Sequence, residues 1–198
     1  MKKSFALFGF VLFISLLTGC FVRSLHPLYT EKDLIFDENL LGIWQDENTN
    51  KWEFTKEDKG YQLTHTDERG NKAIFEARLL KLEKYRFLDL YVVGFDDGFD
   101  QKLNGFGLFH LIPAHTFMRV DSIDKQEAKF RFFNLNWLKK IVKQNPKTIE
   151  HIFIGEKEDP DVVLTATTAQ LQSFVLKNAE GEAFENEFML KKIEDSKR

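Results

Sequence analysis

The 198-residue sequence contains a single cysteine, Cys20, and this scarcity excludes several kinds of chemistry. One thiol cannot form an intramolecular disulfide or supply the several thiolates of a structural zinc site. Positive charge is not in excess either, since 28 Lys and Arg stand against 31 Asp and Glu, for a net charge of −3. A mildly acidic surface of mixed charge offers no electrostatic footprint for nucleic acid. We therefore expect no nucleic-acid partner.

The sequence also lacks the short motifs of common enzymes. It has no G-x-S-x-G turn for a nucleophilic serine and no glycine-rich phosphate-binding loop. His110 and His115 lack the i, i+4 helical spacing of zinc proteases. The carboxylates of residues 96–100 lack the order of an EF-hand loop and instead favour an acidic hairpin loop. We predict neither a metal site nor a cofactor.

The N-terminus carries a secretion signal. Lys2 and Lys3 precede an apolar run over residues 5–17, which is shorter than the about 20 residues of a permanent span. A basic segment before an apolar core of this length is typical of a signal peptide. The run ends in LTGC at residues 17–20, which resembles the lipobox of bacterial lipoproteins. The resemblance implies cleavage between Gly19 and Cys20 and attachment of lipid to the Cys20 thiol.

This resemblance predicts where the protein resides and how the chain divides. Lipidated Cys20 would anchor it to a membrane of the cell envelope. Phe21, not Asp, follows the cysteine, and by the sorting rules of enterobacterial lipoproteins this implies the outer membrane where there are two membranes. We expect a signal peptide at 1–19, a short lipidated tether at 20–33 and one β-rich domain at 34–198. The alternatives are a permanently inserted N-terminal helix and a plain signal peptide with an accidental cysteine.

Alternation of apolar and polar residues predicts a succession of short antiparallel strands. These strands are expected at 51–56, 60–66, 73–79, 85–93, 105–112, 115–123, 128–133 and 183–193. The strand at 85–93 is apolar on both faces, so we expect it to be covered on both sides.

Two helices are predicted in the C-terminal half. The first spans 137–144 with Asn136 as its N-cap, and the second spans 168–178 behind a capping box formed by Thr167 and Gln170. The predicted fold is therefore mainly β, a β-rich α+β domain. Its antiparallel meander would curl into a lipocalin-like barrel or half-barrel, with two short helices.

Gly42-Ile43-Trp44 resembles the G-x-W motif that opens lipocalins and related calycin barrels. The resemblance implies that Trp44 plugs the closed end of a barrel, with a cation packed over its ring. That cation is an arginine in lipocalins, whereas the final strand here offers only Lys191 and Lys192, which leaves Arg119 or Arg131 as substitutes. Residues 24–47 also resemble the start of a group of small uncharacterised bacterial lipoproteins, a resemblance that implies no activity.

Three functional hypotheses follow. The first is a non-catalytic binding module for an apolar ligand such as a lipid. Its expected pocket is lined by Trp44, Tyr85, Phe87, Tyr91, Phe106, Phe109 and His110. The second is a structural or assembly lipoprotein with a dry core, acting through an envelope protein partner. The third is a hydrolase with a His110–Asp89 base, but no nucleophile accompanies that pair, so we expect it to be structural.

Overall fold

The computed structural model describes residues 21–95, 111–156, 158 and 160–193, which form a mainly β structure. The described strands are Arg23–Ser24 (β1), Gly42–Gln45 (β2), Lys51–Glu57 (β3), Gly60–Thr66 (β4), Lys72–Leu82 (β5), Tyr85–Phe95 (β6), His115–Ile123 (β7), Glu127–Phe132 (β8), His151–Ile154 (β9), Asp161–Leu164 (β10) and Glu187–Lys192 (β11). They confirm the predicted strands between residues 51 and 133, except for the one at 105–112, of which residues 105–110 lie outside the described ranges.

Eight of these strands close into an antiparallel barrel. Strands β2 to β8 pair in sequence order, and β11 then joins β8 to β2. Closure removes the unpaired edges of an open sheet. The predicted fold class, a mainly β lipocalin-like barrel with two helices in the C-terminal half, is confirmed.

The alternating strand directions give the barrel two distinct ends. The β3–β4, β5–β6 and β7–β8 turns lie at one end, together with residues 34–41, which lead into β2. The backbone N–H of Ile35 donates to Leu79 O at 2.9 Å, so this segment is fastened to the end of β5. At the other end, β6 ends at Phe95 and β7 begins at His115, beside the β2–β3 and β4–β5 turns.

A short extension continues the sheet beyond the barrel wall. Strand β1 pairs with β7 through Ser24 and His115 and runs parallel to β10, whose other neighbour is β9. Residues 21–33, which we expected to act as a tether, are folded against this wall. Val22 and Leu28 are buried there, at 3% and 0% exposure.

The two helices are Leu135–Gln144 (α1) and Thr168–Lys177 (α2). The capping box of Thr167 and Gln170 is present as predicted. The predicted N-cap of α1 is wrong, because Asn134 and not Asn136 accepts the N–H of Trp137, at 3.0 Å. The helix begins earlier because Leu135 is itself buried in a core.

The predicted final strand over 183–193 is too long. Gly181 has a φ of 89°, and the chain forms a 3₁₀ turn over Glu182–Phe184 before β11 begins at Glu187. Phe184 therefore leaves the sheet and packs against Phe87 and Phe133, with ring centroids 5.8 and 5.1 Å away. Tertiary packing of a large aromatic overrides the alternating pattern here.

The protein has two hydrophobic cores, separated by the barrel wall. The interior core fills the barrel, and the outer core lies between β5–β7, the extension and the helices. Strand β6 serves both, since Leu88 and Leu90 point inward whereas Phe87 points outward. This confirms that the strand is covered on both faces.

No helix in the described ranges combines the length and apolar character that a bilayer span requires.

Candidate functional site

The end of the barrel where β6 ends is lined by aromatic side chains. Five residues from five strands define this aromatic end: Trp52, His65, Phe75, Phe132 and Phe188. Each is half-buried, and the four that are hydrophobic pack directly on the interior core. Among the described residues, the interior core therefore continues into this cluster of rings.

Four rings form a continuous chain across the aromatic end. Trp52 lies 4.8 Å from His65 and 5.2 Å from Phe188, measured between ring centroids, and Phe188 lies 4.9 Å from Phe132. Phe21 extends the chain, because its ring meets Phe132 edge to face at 4.7 Å. Aromatic pairs of this kind contribute about 0.5–1.5 kcal/mol each beyond area burial. The cluster is thus partly ordered by its own contacts.

The β2–β3 turn positions Trp52. Its indole Nε1 donates to Asp46 Oδ2 at 3.1 Å. Asp46, only 8% exposed, also accepts the backbone N–H groups of Asn48 and Asn50 and the side-chain amide of Asn50. One carboxylate thereby orders the turn and fixes the orientation of the tryptophan.

The β4–β5 turn repeats this arrangement. Asp67 accepts the backbone N–H groups of Arg69 and Asn71 and the Asn71 amide, the last at 2.7 Å. The side-chain hydrogen bond from Asn71 lowers the pKa of Asp67. The two turns share the pattern D-x-x-x-N, as DENTN and DERGN. This repeated pattern marks the aromatic end in the sequence, and the sequence analysis missed it.

His65 adds no charge to the aromatic end at neutral pH. Burial lowers the pKa of its imidazole from the ordinary value of 6.5, although Asp46 and Asp67 oppose the shift. The ring therefore stays neutral where an apolar group would contact it.

The opposite end of the barrel is plugged. Trp44 is completely buried, and its Nε1 donates to Leu40 O at 2.8 Å. Leu40 and Tyr61 are equally inaccessible, at 0% exposure. The indole of Trp44 is turned towards this end, although its backbone pairs with that of Trp52 in the β2–β3 register.

A lysine, and not an arginine, packs over Trp44. Lys192 Nζ lies 4.8 Å from the ring centroid and donates to Asn39 O at 3.1 Å. The proposed substitutes are wrong, since Arg119 and Arg131 both bind Asp121 on the barrel surface. A Cβ on Gly42, whose φ is 110°, would meet Lys192 Cε at 3.1 Å. Glycine at the first position of the motif therefore allows both the backbone conformation and the approach of the cation.

Tyr61 completes the plugged end. Its hydroxyl donates to Asp37 O at 2.9 Å and accepts the Asp37 N–H at 2.7 Å. Burial raises the pKa of Tyr61 to about 12. Phe36 stacks on the outer face of this ring, with centroids 4.8 Å apart. The polar groups of this end are satisfied internally.

The four described residues that were predicted to line one pocket lie in different parts of the structure. Trp44 belongs to the interior core, whereas Phe87 and the half-buried Tyr85 belong to the outer core. Tyr91 lies on the outer face of β6 against His115, with ring centroids 4.6 Å apart. The remaining three, Phe106, Phe109 and His110, lie outside the described residues.

Asp89 forms a buried pair with His115, while the His110 of the predicted pair falls in an undescribed range. His115 Nδ1 lies 2.7 Å from Asp89 Oδ1, and Asp89 Oδ2 accepts the N–H of Leu28 at 2.8 Å. Asp89 is 1% exposed and His115 is 8% exposed. The pair fastens the N-terminal segment to the barrel wall, which is a structural task.

Among the described residues around the Asp89–His115 pair, no serine hydroxyl is free to act as a nucleophile. Ser24, opposite His115 in the β1–β7 register, is fully buried. Its hydroxyl donates to His26 O at 2.7 Å and accepts the His26 N–H at 3.2 Å. Within the described ranges, no group of three or more His, Cys, Asp or Glu side chains could hold a metal ion.

A cleft opens beside the aromatic end, where β11 and β2 pair only through their last residues. Its volume is about 320 Å³. It is lined by Gln45, Asp46, Glu47, Glu187, Phe188, Met189 and Lys191. This cleft gives access from the side of the barrel to Phe188.

Two further cavities lie away from the aromatic cluster. One of about 900 Å³ lies between α1 and α2 and includes Trp137 and Phe174. Another of about 500 Å³ lies beside Phe36 at the plugged end. Neither is lined by a residue of the predicted pocket.

Comparison of the chain with protein-family models, with curated proteins and with solved structures found no match.

Proposed function

We propose that this chain is a non-catalytic, membrane-anchored lipoprotein of the cell envelope that binds an apolar ligand, such as a lipid, at the aromatic end of its barrel. The observation that carries the proposal is the half-buried aromatic cluster above the interior core, reached by the cleft beside Phe188. Ligand sites combine an apolar surface with polar groups that orient the ligand, and five of the seven residues that line this cleft are polar or charged.

The filled barrel limits how far a ligand can enter. Trp44, Phe54, Tyr61 and Phe130 are at most 1% exposed and occupy the space between the two ends. An eight-stranded barrel is only wide enough to be filled by side chains or to hold one small ligand. The proposed ligand therefore inserts one apolar chain at the aromatic end and is not enclosed completely.

The anchoring part of the proposal depends on the sequence. The LTGC motif supplies the proposed acylation site at Cys20, directly before Phe21. Two or three acyl chains hold a protein on a bilayer where a single chain binds only reversibly. The proposal needs no cofactor and no nucleic acid.

The ligand can be tested with a brominated fatty acid, which quenches tryptophan fluorescence on contact. The mature chain is prepared from Phe21 without its lipid and titrated with this probe. We expect saturable quenching that is lost in Trp52→Phe and retained in Trp137→Phe, the matched control on α1. Quenching that is unchanged in Trp52→Phe would contradict binding at the aromatic end.

The anchor is tested separately with Cys20→Ala in the full chain. Wild type should incorporate radioactive fatty acid and sediment with membranes, whereas the variant should do neither. If Cys20→Ala is still labelled and processed at the same bond, the lipoprotein interpretation is wrong.

A second candidate function is binding of a protein partner. Strand β9 is the last strand of the sheet in the described residues, and its Ile152, Phe153 and Ile154 are 48%, 45% and 36% exposed. An exposed apolar edge strand is a template for strand addition. If this candidate is correct, Phe153→Asp abolishes recovery of a crosslinked envelope protein, while Trp52→Phe leaves that recovery unchanged.

A further inference from the structure

The exposed hydrophobic side chains are distributed unevenly over the molecule. Those at the aromatic end or on its flanking strands include Phe21, Leu25, Val93, Leu111 and Ile112, with exposures from 42% to 77%. We call these five residues the apolar rim. Isolated exposed hydrophobics are ordinary, but a contiguous group marks an interaction surface.

The strand register places most of the apolar rim at the same end of the barrel. Ser24, His115 and Tyr91 are paired across β1, β7 and β6 in one row. Leu25 follows Ser24, Val93 lies two residues beyond Tyr91, and residues 111–112 are separated from the start of β7 by two residues. Three adjacent strands thus present apolar side chains at the same end of the barrel.

The plugged end differs from the apolar rim in its exposed hydrophobic side chains and not in the charge of its turns, since the β2–β3 and β4–β5 turns of the aromatic end are charged as well. The hairpin turns of the plugged end carry charged pairs at residues 58–59, 83–84 and 124–125. Among the described residues, Phe36 is the one large hydrophobic side chain exposed at this end, and the amino group of Lys56 lies 5.1 Å from its ring centroid. The described part of the plugged end therefore exposes less apolar surface than the apolar rim.

The chain outside the described residues identifies what covers the apolar rim. Phe21 belongs to the rim and contacts Phe132 of the aromatic end. It directly follows Cys20, the proposed acylation site. One residue spans at most about 3.6 Å, so acyl chains on Cys20 would enter the bilayer at the edge of the rim.

We infer that the apolar rim rests on the membrane that holds the Cys20 lipid, so that the aromatic end faces the bilayer and the plugged end faces the aqueous compartment. This orientation rests on the proposed lipidation. It assigns the bilayer lipids themselves as the source of the apolar ligand, because an acyl chain could reach Phe132 and Phe188 without crossing water.

The orientation can be measured in the full-length lipidated protein with an environment-sensitive thiol dye. Cys20 is the only cysteine and carries the lipid, so an introduced cysteine is the only free thiol. The rim variant is Ile112→Cys, with Val93→Cys as a second rim position. Phe36→Cys is the matched control, since it also replaces an exposed hydrophobic residue but lies at the plugged end. The proteins are reconstituted in phosphatidylcholine vesicles, with the intact mass of each recorded.

We expect the dye at residues 112 and 93 to shift to the blue and to lose quenching by aqueous iodide when vesicles are present. The dye at residue 36 should remain fully quenched. Equal quenching at all three positions would overturn the orientation but would leave the lipid anchor intact. Protection of the dye at residue 36 alone would have the same consequence. An intact mass without acyl groups would overturn both the lipoprotein proposal and this inference.

Discussion

The two ends of the barrel contain similar residues, but they differ in the hydrogen bonds of their polar groups and in the burial of their aromatic rings. At the plugged end, Trp44 donates to a backbone carbonyl, a lysine covers its ring, and Tyr61 is bonded to Asp37. At the aromatic end, the indole N–H of Trp52 donates to Asp46 in the adjacent β2–β3 turn, and the neighbouring rings are half-buried. Full burial with internal hydrogen bonds serves stability, whereas partial burial of apolar rings leaves surface for a ligand.

The largest expected effect is on Trp44. Trp44→Ala should lower the free energy of unfolding by about 3–5 kcal/mol, because it removes a completely buried indole and leaves a cavity. Trp52→Ala should cost clearly less, since that ring is half-buried. Urea unfolding of both variants checks this difference. Equal losses in the free energy of unfolding would show that the two ends are equally well packed, which would contradict the proposed difference between them.

The buried pair beside the aromatic end should give the next effect. Asp89→Ala leaves His115 and the N–H of Leu28 without their partner, and each buried unsatisfied group costs about 1–3 kcal/mol. Asp67→Ala, at the exposed β4–β5 turn, should cost less in the same unfolding assay. The pair would be catalytic instead if the protein hydrolysed a lipid, peptide or glycan substrate and folded Asp89→Asn lost that turnover.

Alanine substitution of one glycine at each end compares the local contributions of the two ends to stability. Gly42 and Gly70 have φ values of 110° and 85°, so alanine is strained at both, by about 1–2 kcal/mol. Only Gly42 also faces Lys192 Cε, at 3.1 Å, whereas a Cβ on Gly70 meets nothing within 4 Å. Gly42→Ala should therefore lower the thermal midpoint further than Gly70→Ala. A larger loss for Gly70→Ala would mean that the turn, and not the lysine contact, limits stability.

The smallest effects concern pH, and the two ends should respond at opposite extremes. The lowered pKa of His65 means that the unfolded state binds its proton first, so stability should fall as the pH drops below about 6.5. The raised pKa of Tyr61 means that the unfolded state loses its proton first, so stability should fall between pH 10 and about 12. His65→Gln should flatten the acid branch and Tyr61→Phe the alkaline branch. A branch that is unchanged by its substitution would show that another group titrates there.

Local patterns in the sequence were sufficient for some elements. Apart from the strand predicted at 105–112, the strands over 51–133 depend on neighbouring residues, as do the capping box of Thr167 and the burial of Trp44, and the structure confirms them. The first turn of α1 and the 3₁₀ turn at Glu182–Phe184 were missed, because burial of Leu135 and Phe184 decides both.

Local sequence patterns were not sufficient to predict the candidate site. The aromatic end takes one residue from each of five strands, and their proximity depends on barrel closure and on the register of every pair. The partner of Asp89 similarly depends on the β6–β7 register, which pairs His115 with Tyr91 and so places it diagonally across from Asp89. A period of two identifies the face of a strand but not its neighbour across the barrel.

Native mass spectrometry of the protein purified from its own membrane tests the central claim most directly. The account predicts one apolar molecule bound per chain, in addition to the covalent acyl groups on Cys20. This molecule should be retained in Phe36→Ala at the plugged end and lost in Phe188→Asp at the aromatic end, with both variants folded by circular dichroism. Absence of the molecule from the wild type, or equal retention in the two variants, would contradict the account.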